Sequence, residues 1–453
     1  MRKSLRLVVL SGLAAALLSG CTSSDDISDA MMAINPFSEK EKILPGTRIP
    51  VLPDQQPSQL VTRKPVSVPG PRATGNWGQA GGPPGNNPGH AALEGSGGTR
   101  VWAASAADVA AGGLTRETIR VFARPVAADG RIFVYDPNGN VSAHSASGGG
   151  RLWRVSVQRE GVSDDPTTGG GVASDGPRVY AATGYGTVVA LDASSGGKVW
   201  EKRIGEPARS APTVADGKIF VVSQGNVVYA LNASDGSEAW SFRGVPESGG
   251  LLASANPAVS GGKVVVPFTS GELVAIDIKT GQAAWSDALA RASRNYAVSG
   301  LSDIAASPVV DDGVVYATGV GSRTVAIQLK DGNRIWEKAI GSAHTPAVAG
   351  NAVFVVDLDD NLIAIERKTG DVLWTNRLPV TREKKKRTNW AGPVLAGGSL
   401  WLVSNEGGLI ALNPTNGQVV NTLSTGEPAM IAPVVAGGKL IVLTGSGTLA
   451  AYN

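Results

Sequence analysis

A fixed distance between a proline and a tryptophan is the feature that most constrains how this chain can fold. A tryptophan stands 28 residues after a proline in five places, namely Pro125 and Trp153, Pro212 and Trp240, Pro257 and Trp285, Pro308 and Trp336, and Pro346 and Trp374. Two further copies keep the spacing but change one residue: Val172 replaces the proline before Trp200, and Asn421 replaces the tryptophan after Pro393. The copies recur about every 45 residues, a period typical of one blade of a β-propeller.

Each copy also has a glycine four residues before the tryptophan position. These glycines are Gly149, Gly196, Gly236, Gly281, Gly332, Gly370 and Gly417. Only the joint between one tryptophan and the next proline changes in length, from 10 residues after Trp336 to 23 after Trp285. Hairpin turns set the register inside a sheet, whereas a connection between sheets can lengthen at little cost in free energy. The pattern therefore predicts a repeated four-stranded antiparallel module.

The last copy is one strand short, because the chain stops at Asn453 after the segment that ends in Tyr452. A segment that resembles the missing strand, Arg100-Val101-Trp102-Ala103, lies 23 residues before Pro125. We therefore predict an all-β fold over residues 99–453: an eight-bladed β-propeller of four-stranded antiparallel blades whose last blade is closed by an N-terminal strand. An open solenoid is the disfavoured alternative, because it does not need a strand from the far end of the chain.

Seven tryptophans share one position in this repeat. They are Trp102, Trp153, Trp200, Trp240, Trp285, Trp336 and Trp374. A row of aromatic side chains could form a ligand platform, but recurrence at one repeat position favours a structural role. We expect these indoles to lie between neighbouring blades and bury apolar surface there.

The first 20 residues have the features of a secretory signal peptide. Arg2, Lys3 and Arg6 precede a short apolar run, and Leu18-Ser19-Gly20-Cys21 resembles the lipobox of bacterial lipoproteins. This predicts lipidation at Cys21, the only cysteine, and an ordinary signal peptide is the alternative. By resemblance to sorted Gram-negative lipoproteins, Thr22 after the cysteine favours an outer-membrane anchor facing the periplasm.

Residues 21–98 are expected to form a linker between the lipidated cysteine and the propeller. The stretch from Thr22 to Gly98 holds 11 of the 27 prolines and lacks a sustained helix or strand period. Its last part, around Trp77, could fold onto the propeller. The three excess positive charges of the chain all lie in the signal peptide, so the remainder is neutral, which argues against nucleic acid as a partner.

The pattern Ala-(Leu/Ile)-Asp-x-x-x-Gly-x-x-x-Trp, seen from Ala190 to Trp200 and from Ala275 to Trp285, resembles the repeat of the pyrroloquinoline-quinone-like propeller superfamily. Within it, the lipobox, the eight repeats and the size are similar to a lipoprotein family of the outer-membrane β-barrel assembly machinery. That resemblance implies a scaffold that binds a POTRA domain of a BamA-type insertase, with other subunits of the machine, and assists outer-membrane protein insertion.

The resemblance also suggests where the partner would bind. The segment Leu301-Ser302-Asp303 resembles a docking loop of that family, and Leu251 and Leu252 stand in the joint of the preceding blade. The two joints are consecutive and should share one face of the ring. The chain departs from the family pattern in two ways: no arginine stands beside Leu251 and Leu252, and Ala305 replaces a second acid.

A quinone-dependent dehydrogenase is the competing class. Such enzymes carry an adjacent cysteine pair, which a chain with one cysteine cannot form. His90, His144 and His344 are too scattered for a metal site, and the cluster Asp357, Asp359 and Asp360 is better explained as a turn. We therefore expect no cofactor and no catalysis. A general periplasmic adaptor shares every feature used so far and stays open.

The run Arg382-Glu383-Lys384-Lys385-Lys386-Arg387 is the one dense charge cluster. An exposed loop is the simpler interpretation. The alternative is contact with anionic lipid or with an acidic patch of a partner.

Overall fold

The structure is a computed structural model that describes residues 62, 64–108, 120–158, 167–246, 255–289, 303–380 and 388–453. By compactness the chain divides into Met1–Ser58 and Gln59–Asn453, and only the second unit contains described residues. Cys21 and the basic run at 382–387 therefore lie outside the described part. Within these ranges no helix is long and apolar enough to cross a bilayer.

The described residues form thirty-two strands, β1 to β32, in eight four-stranded sheets. We call these sheets blades 1 to 8. In blades 1 to 7 the strands follow chain order from the inner strand to the outer one, and in blade 8 the outer strand is β1. Blades 1 to 4 contain β2 (Val126–Ala128), β3 (Arg131–Tyr135), β4 (Asn140–Ser145), β5 (Arg151–Ser156); β6 (Gly170–Ser174), β7 (Arg178–Thr183), β8 (Thr187–Asp192), β9 (Lys198–Arg203); β10 (Thr213–Ala215), β11 (Lys218–Val222), β12 (Val227–Asn232), β13 (Glu238–Arg243); and β14 (Ala258–Ser260), β15 (Lys263–Pro267), β16 (Glu272–Asp277), β17 (Ala283–Ala288).

The remaining four blades follow the same plan. Blades 5 to 8 contain β18 (Val309–Asp311), β19 (Val314–Gly319), β20 (Arg323–Gln328), β21 (Arg334–Lys338); β22 (Ala347–Ala349), β23 (Ala352–Val356), β24 (Asn361–Glu366), β25 (Val372–Arg377); β26 (Trp390–Ala396), β27 (Ser399–Ser404), β28 (Gly408–Leu412), β29 (Val419–Ser424); and β30 (Val434–Ala436), β31 (Lys439–Leu443), β32 (Thr448–Tyr452), β1 (Arg100–Ser105).

The N-terminal strand closes the ring, as the sequence predicts. Strand β1 pairs antiparallel with β32, with Arg100 opposite Tyr452 and Trp102 opposite Ala451. The eighth sheet therefore joins the two ends of the propeller, and the prediction of an all-β, eight-bladed fold is confirmed. Closure removes the free edge that the C-terminal strand β32 would otherwise present.

A small residue separates two large ones across each blade. In blade 1, Ala143 of the third strand stands between Phe133 of the second and Trp153 of the outer strand. The two rings touch over it, with centroids 5.8 Å apart, because the alanine side chain leaves the space between them open. The ring pair recurs in blades 2, 3, 5 and 6, and the alanine occupies the middle position in every blade: Ala143, Ala190, Ala230, Ala275, Ala326, Ala364, Ala411 and Ala451.

Blade 7 lacks the outer-strand tryptophan, and its structure shows what replaces that side chain. In this blade a tryptophan stands on the second strand instead, so the three residues across the blade are Trp401, Ala411 and Asn421. Trp401 is 1% exposed and donates its Nε1–H to the carbonyl of Ala396. The blade thus keeps its large apolar group after losing the outer-strand indole.

The outer-strand tryptophans lie between neighbouring blades. Trp240 of blade 3, for example, donates its Nε1–H to the carbonyl of Ile278 in blade 4 at 2.8 Å. Corresponding bonds join Trp153 to Ala193, Trp200 to Ala233, Trp285 to Leu329, Trp336 to Arg367 and Trp374 to Pro414. Each of these six indoles therefore fixes the distance to the next blade as well as burying apolar surface.

The repeat glycine packs against the tryptophan of the preceding blade. Gly281 has a φ of +71°, and a Cβ added to it would lie 2.7 Å from Cγ of Trp240. The glycine is needed for this close approach as well as for the turn. Gly149 meets Trp102 in the same way, so the contact continues across the closure point. Gly98 stands four residues before Trp102 and completes the eighth copy of the motif.

We predict that Gly281→Ala destabilises the propeller more than Gly217→Ala does. Both glycines have a φ of +71°, but a Cβ at Gly217 would have no atom within 4 Å. Gly217→Ala should therefore cost about 1 kcal/mol of backbone strain, whereas Gly281→Ala should cost a further ~1–3 kcal/mol for crowding the indole. Urea unfolding of the two variants measures the difference, and equal losses would contradict the packing role.

Candidate functional site

The antiparallel order of the strands gives the ring two different faces. The face we call the joint face carries the joints between blades and the turns between second and third strands. The opposite face, the turn face, carries the other two turns of each blade, including the repeat glycines. The predicted docking residues Leu251, Leu252, Leu301 and Ser302 belong to two joints but lie outside the described residues; Asp303 is described.

Asp303 lies in a buried ion pair beneath the joint face. Its carboxylate accepts a hydrogen bond from Nη2 of Arg209 at 2.5 Å, and the two side chains are 1% and 4% exposed. Arg209 also donates from Nη1 to the carbonyl of Pro267 and from Nη2 to that of Ile304, both at 3.1 Å. Burial lowers the pKa of Arg209, and the nearby Asp303 opposes that effect. In this structure Asp303 fixes the base of its loop and is not open to solvent.

Arg209 is the residue that sequence reasoning missed. It belongs to the joint that enters blade 3, whereas Asp303 lies in the joint that enters blade 5 and is 94 residues away. The chain has no arginine beside Leu251 and Leu252, where the family pattern has one. A guanidinium from another joint, that of Arg209, binds Asp303 instead. No spacing rule connects the two residues, because they meet only when blades 3, 4 and 5 pack side by side.

Residues 77–91, which we call the plug, run along the inner strands around the central axis of the ring, on the side of the turn face. The carbonyls of Trp77, Gly78, Pro84 and Gly85 accept the amide hydrogens of inner strands β2, β6, β14 and β18, respectively. Gln79 exchanges two bonds with Val214 of β10, and Ala91 donates to Leu395 of β26. Inner strands have one unpaired edge, and the plug satisfies part of it in six blades. Trp77, only 1% exposed, anchors the segment.

A polar network ties the plug to the two joints that the sequence singles out. Asn86 of the plug donates to the carbonyl of Pro308 at 2.9 Å and accepts from Asn256 at 2.9 Å. Ser307 donates to the side-chain oxygen of Asn256 at 2.8 Å. Asn86, Asn256 and Ser307 are all buried. The ends of the joints before Pro257 and Pro308 are therefore held together and fixed to the floor below them.

Three of the side chains considered as metal ligands from the sequence make structural contacts. Nδ1 of His90 lies 2.6 Å from the carbonyl of Pro69, and its Nε2 accepts the amide hydrogen of Gly398 at 2.8 Å. His144 is buried beside the carbonyl of Gly149, and burial lowers its pKa. Oδ1 of Asp357 accepts two backbone amides within its own turn. No group of three potential metal ligands occurs in the ranges that the structure describes.

Comparison with known sequences identifies the family of this chain. The family model described as outer membrane protein assembly factor BamB matches residues 89–171, 137–376 and 380–453. The protein of that name from Yersinia pestis is 28% identical over 336 residues, which cover 73% of this chain and 84% of the relative.

Comparison with solved structures supports the fold. BamB from Moraxella catarrhalis superposes with a TM-score of 0.64 at 19% identity, covering 78% of this chain and 99% of the other. Quinohemoprotein alcohol dehydrogenase from Comamonas testosteroni gives the same TM-score at 15% identity, covering 84% of this chain and 81% of the enzyme. The fold is therefore shared by a BamB protein and an alcohol dehydrogenase, and function has to be argued from the site.

We predict that Asp303→Asn destabilises the protein by about 3 kcal/mol, because it leaves the buried Arg209 charge without its counter-ion. The matched control is Glu201→Gln in the exposed pair that Glu201 forms with Lys198, which should change stability by less than about 1 kcal/mol. Urea unfolding at pH 7 compares the variants. A small effect at Asp303 would mean that the ion pair does not hold the loop.

We predict that Gln79→Met loosens the plug. The substitution keeps the size of the side chain but removes both bonds to Val214, at 3.1 and 3.0 Å, and so leaves two buried backbone groups unpaired. The expected loss is at least about 2 kcal/mol, with faster amide hydrogen exchange in β10. Gln224→Met, at an exposed side chain, is the control and should have little effect. Unchanged exchange in β10 would contradict the role given to the plug.

Proposed function

The chain belongs to the family of the outer membrane protein assembly factor BamB, and on this premise we propose that it is a non-catalytic scaffold of the outer-membrane β-barrel assembly machinery. It binds the POTRA region of a BamA-type insertase and contacts other subunits of the machine. Through these contacts it assists the folding and insertion of outer-membrane proteins.

The observation that carries the proposal is the rigid base beneath two consecutive joints. Arg209 and Asp303 hold one joint to blade 4 from below, and Asn256 and Ser307 tie both joints to Asn86. A docking surface made of loops binds more tightly when the loops are ordered before the partner arrives. Such a base supports a binding role for the loop residues Leu251, Leu252, Leu301 and Ser302 that stand on these joints.

The plug fills the turn-face end of the central axis, and this favours a scaffold role over an enzymatic one. Side chains of the plug are buried against the inner strands there: Trp77, Gln79 and Asn86 are 1%, 3% and 2% exposed. A catalytic centre at that end would require the plug to move out and leave inner-strand amides unpaired.

Attachment to the outer membrane completes the proposal. Residues 1–20 are the signal peptide, Cys21 carries the lipid, residues 21–98 lead to the ring, and residues 99–453 form it. The described end of the linker approaches blade 6, where Thr62 donates its amide hydrogen to the carbonyl of Val372 at 2.8 Å. The protein then works at the periplasmic side of the membrane.

We predict that Leu252→Glu combined with Leu301→Glu abolishes co-purification with the insertase from detergent-solubilised envelopes. Two carboxylates in an apolar contact would have to be desolvated without partners. Asp303 is not used for this test, because its substitution would disturb the buried ion pair. Leu152→Glu is the matched control, since Leu152 is 51% exposed on the outer strand of blade 1.

The double variant should unfold at the same urea midpoint as the native protein, which shows that a loss of binding does not come from a loss of stability. Retained co-purification would reject this site. Mass spectrometry of the proteins bound to the native chain tests the wider proposal: if assembly-machine subunits are absent and unrelated envelope proteins are present, the chain is a general periplasmic adaptor.

A further inference from the structure

A short part of the linker lies against the turn face before the plug begins. Residues 64–72, which we call the strap, lead from blade 6 towards the plug. At the blade 6 end, Asn351 donates from Nδ2 to the carbonyl of Pro65 at 3.0 Å and accepts the amide hydrogen of Ser67 at 2.8 Å. Val66 between them is 6% exposed and packs against the core of blades 6 and 7. The strap is therefore docked on the ring through specific contacts.

At the plug end, the imidazole of His90 bridges the strap and blade 7. Its Nδ1 lies 2.6 Å from the carbonyl of Pro69, and its Nε2 lies 2.8 Å from the amide nitrogen of Gly398, in the turn between β26 and β27. A carbonyl can only accept and a backbone amide can only donate, so Nδ1 carries the proton and Nε2 has none. The side chain is 7% exposed. His90 therefore makes both contacts only as the neutral Nδ1–H tautomer.

Protonation of His90 is incompatible with this arrangement. The imidazolium carries a hydrogen on both nitrogens, so its Nε2–H would point at the N–H of Gly398. That turn is held in place, because the neighbouring Gly397 donates its amide hydrogen to the carbonyl of Ala91 at 2.9 Å. Two donors that face each other in a site closed to water destabilise it more than the loss of one hydrogen bond does. The imidazolium therefore has to leave, and the strap loses its support at this end.

The other two histidines differ in this respect. Nε2 of His144 lies 3.1 Å from Oγ of Ser142, a hydroxyl that can donate or accept and so can adapt to a proton on that nitrogen. Desolvation lowers the pKa of His344 to about 4, so that imidazole stays neutral at pH 5.5. A response to mild acid through a lost contact is therefore expected at His90 and not at the other two.

Few other charges surround His90. The plug has no other titratable side chain, and blade 7 contributes the uncharged turn Ala396–Ser399. The strap contributes Arg72, whose side chain is exposed and whose amide donates to the carbonyl of His90 at 2.9 Å. Glu94, just after the plug, is exposed and pairs with Lys439 of blade 8 at 2.9 Å. No hydrogen bond or ion pair joins a carboxylate of these described segments to the imidazole, so the imidazolium gains no counter-ion there.

We propose that His90 is a pH-sensitive latch: the neutral imidazole holds the strap on the turn face, and the imidazolium releases it. A histidine side chain ordinarily takes up its proton near about pH 6.5, so mild acid opens the latch. The ion pair of Lys64 with Asp371 at the blade 6 end keeps its charges at pH 5.5, because the hydroxyl of Thr369 lowers the pKa of Asp371. Acid therefore acts on the plug end of the strap.

Opening of the latch changes how far the ring can move from its point of attachment. Residues 62–72, once undocked, extend the linker by up to about 35 Å. Only this consequence rests on the proposed lipid anchor. The latch itself is a property of the ring and can be tested in a chain without lipid.

The test measures how fast a thiol under the strap reacts with a pyridyl disulfide at pH 7.5 and at pH 5.5. The full mature chain carries Cys21→Ser and Val66→Cys, and each rate is divided by that of N-acetylcysteine at the same pH. We expect the corrected rate to rise at least about tenfold at pH 5.5, as the loss of a buried hydrogen bond implies. Adding His90→Gln should keep the rate low at both pH values, because the amide has a donor and an acceptor but takes up no proton.

Val221→Cys in place of Val66→Cys is the matched control, because Val221 is buried in blade 3. Its corrected rate should be the same at both pH values. Three results overturn the proposal: equal rates for the Val66→Cys chain at the two pH values, the same acceleration with His90→Gln, or an equal acceleration of the Val221→Cys chain, which would mean that the whole ring opens.

Nitrogen NMR of labelled histidine in the native chain keeps the proposal testable if His90→Gln does not fold. At pH 7.5 the proton of His90 should be found on Nδ1. A proton on Nε2 would overturn the latch, because that nitrogen could not accept the amide hydrogen of Gly398.

Discussion

The unpaired backbone edges of a ring of sheets are the constraint on which this structure depends. Eight blades leave an incomplete last sheet and a circle of inner strands with free amides. One stretch of chain meets both needs, because the plug accepts inner-strand amides and β1, a few residues later, pairs with β32. The plug and β1 are therefore part of the fold, and the first and last strands can reach their final state only together.

The repeat residues determine how neighbouring blades pack against each other, so the length and sequence of the joints are less constrained. In every blade except blade 7 an alanine and an outer-strand indole stand in one row, and a glycine of the next blade packs against the indole. These contacts need constant spacing, whereas a joint only has to reach the next inner strand. The joints can thus vary and carry binding residues, and the buried pair of Arg209 and Asp303 shows how one of them is held.

Much of the fold could be predicted from the sequence, because repeat spacing records the contacts made in every blade. The plug could not, since backbone carbonyls such as those of Trp77 and Gly85 accept hydrogen bonds without any sequence pattern. The partner of Asp303 was also hidden: an acid in a loop is usually exposed, and only the packing of blades 3, 4 and 5 brings Arg209 to it.

Closure by the N-terminal strand is tested most directly by a disulfide between β1 and β32. Ser105 and Thr448 face each other in that pair, so Ser105→Cys with Thr448→Cys, in a chain carrying Cys21→Ser, should oxidise to an intramolecular bond. The linked monomer should migrate faster on a non-reducing gel and unfold at a higher urea concentration. The combination of Ser105→Cys with Thr187→Cys, in blade 2, should stay reduced. Failure of the first pair to form the bond, or formation only between molecules, would contradict the closed ring.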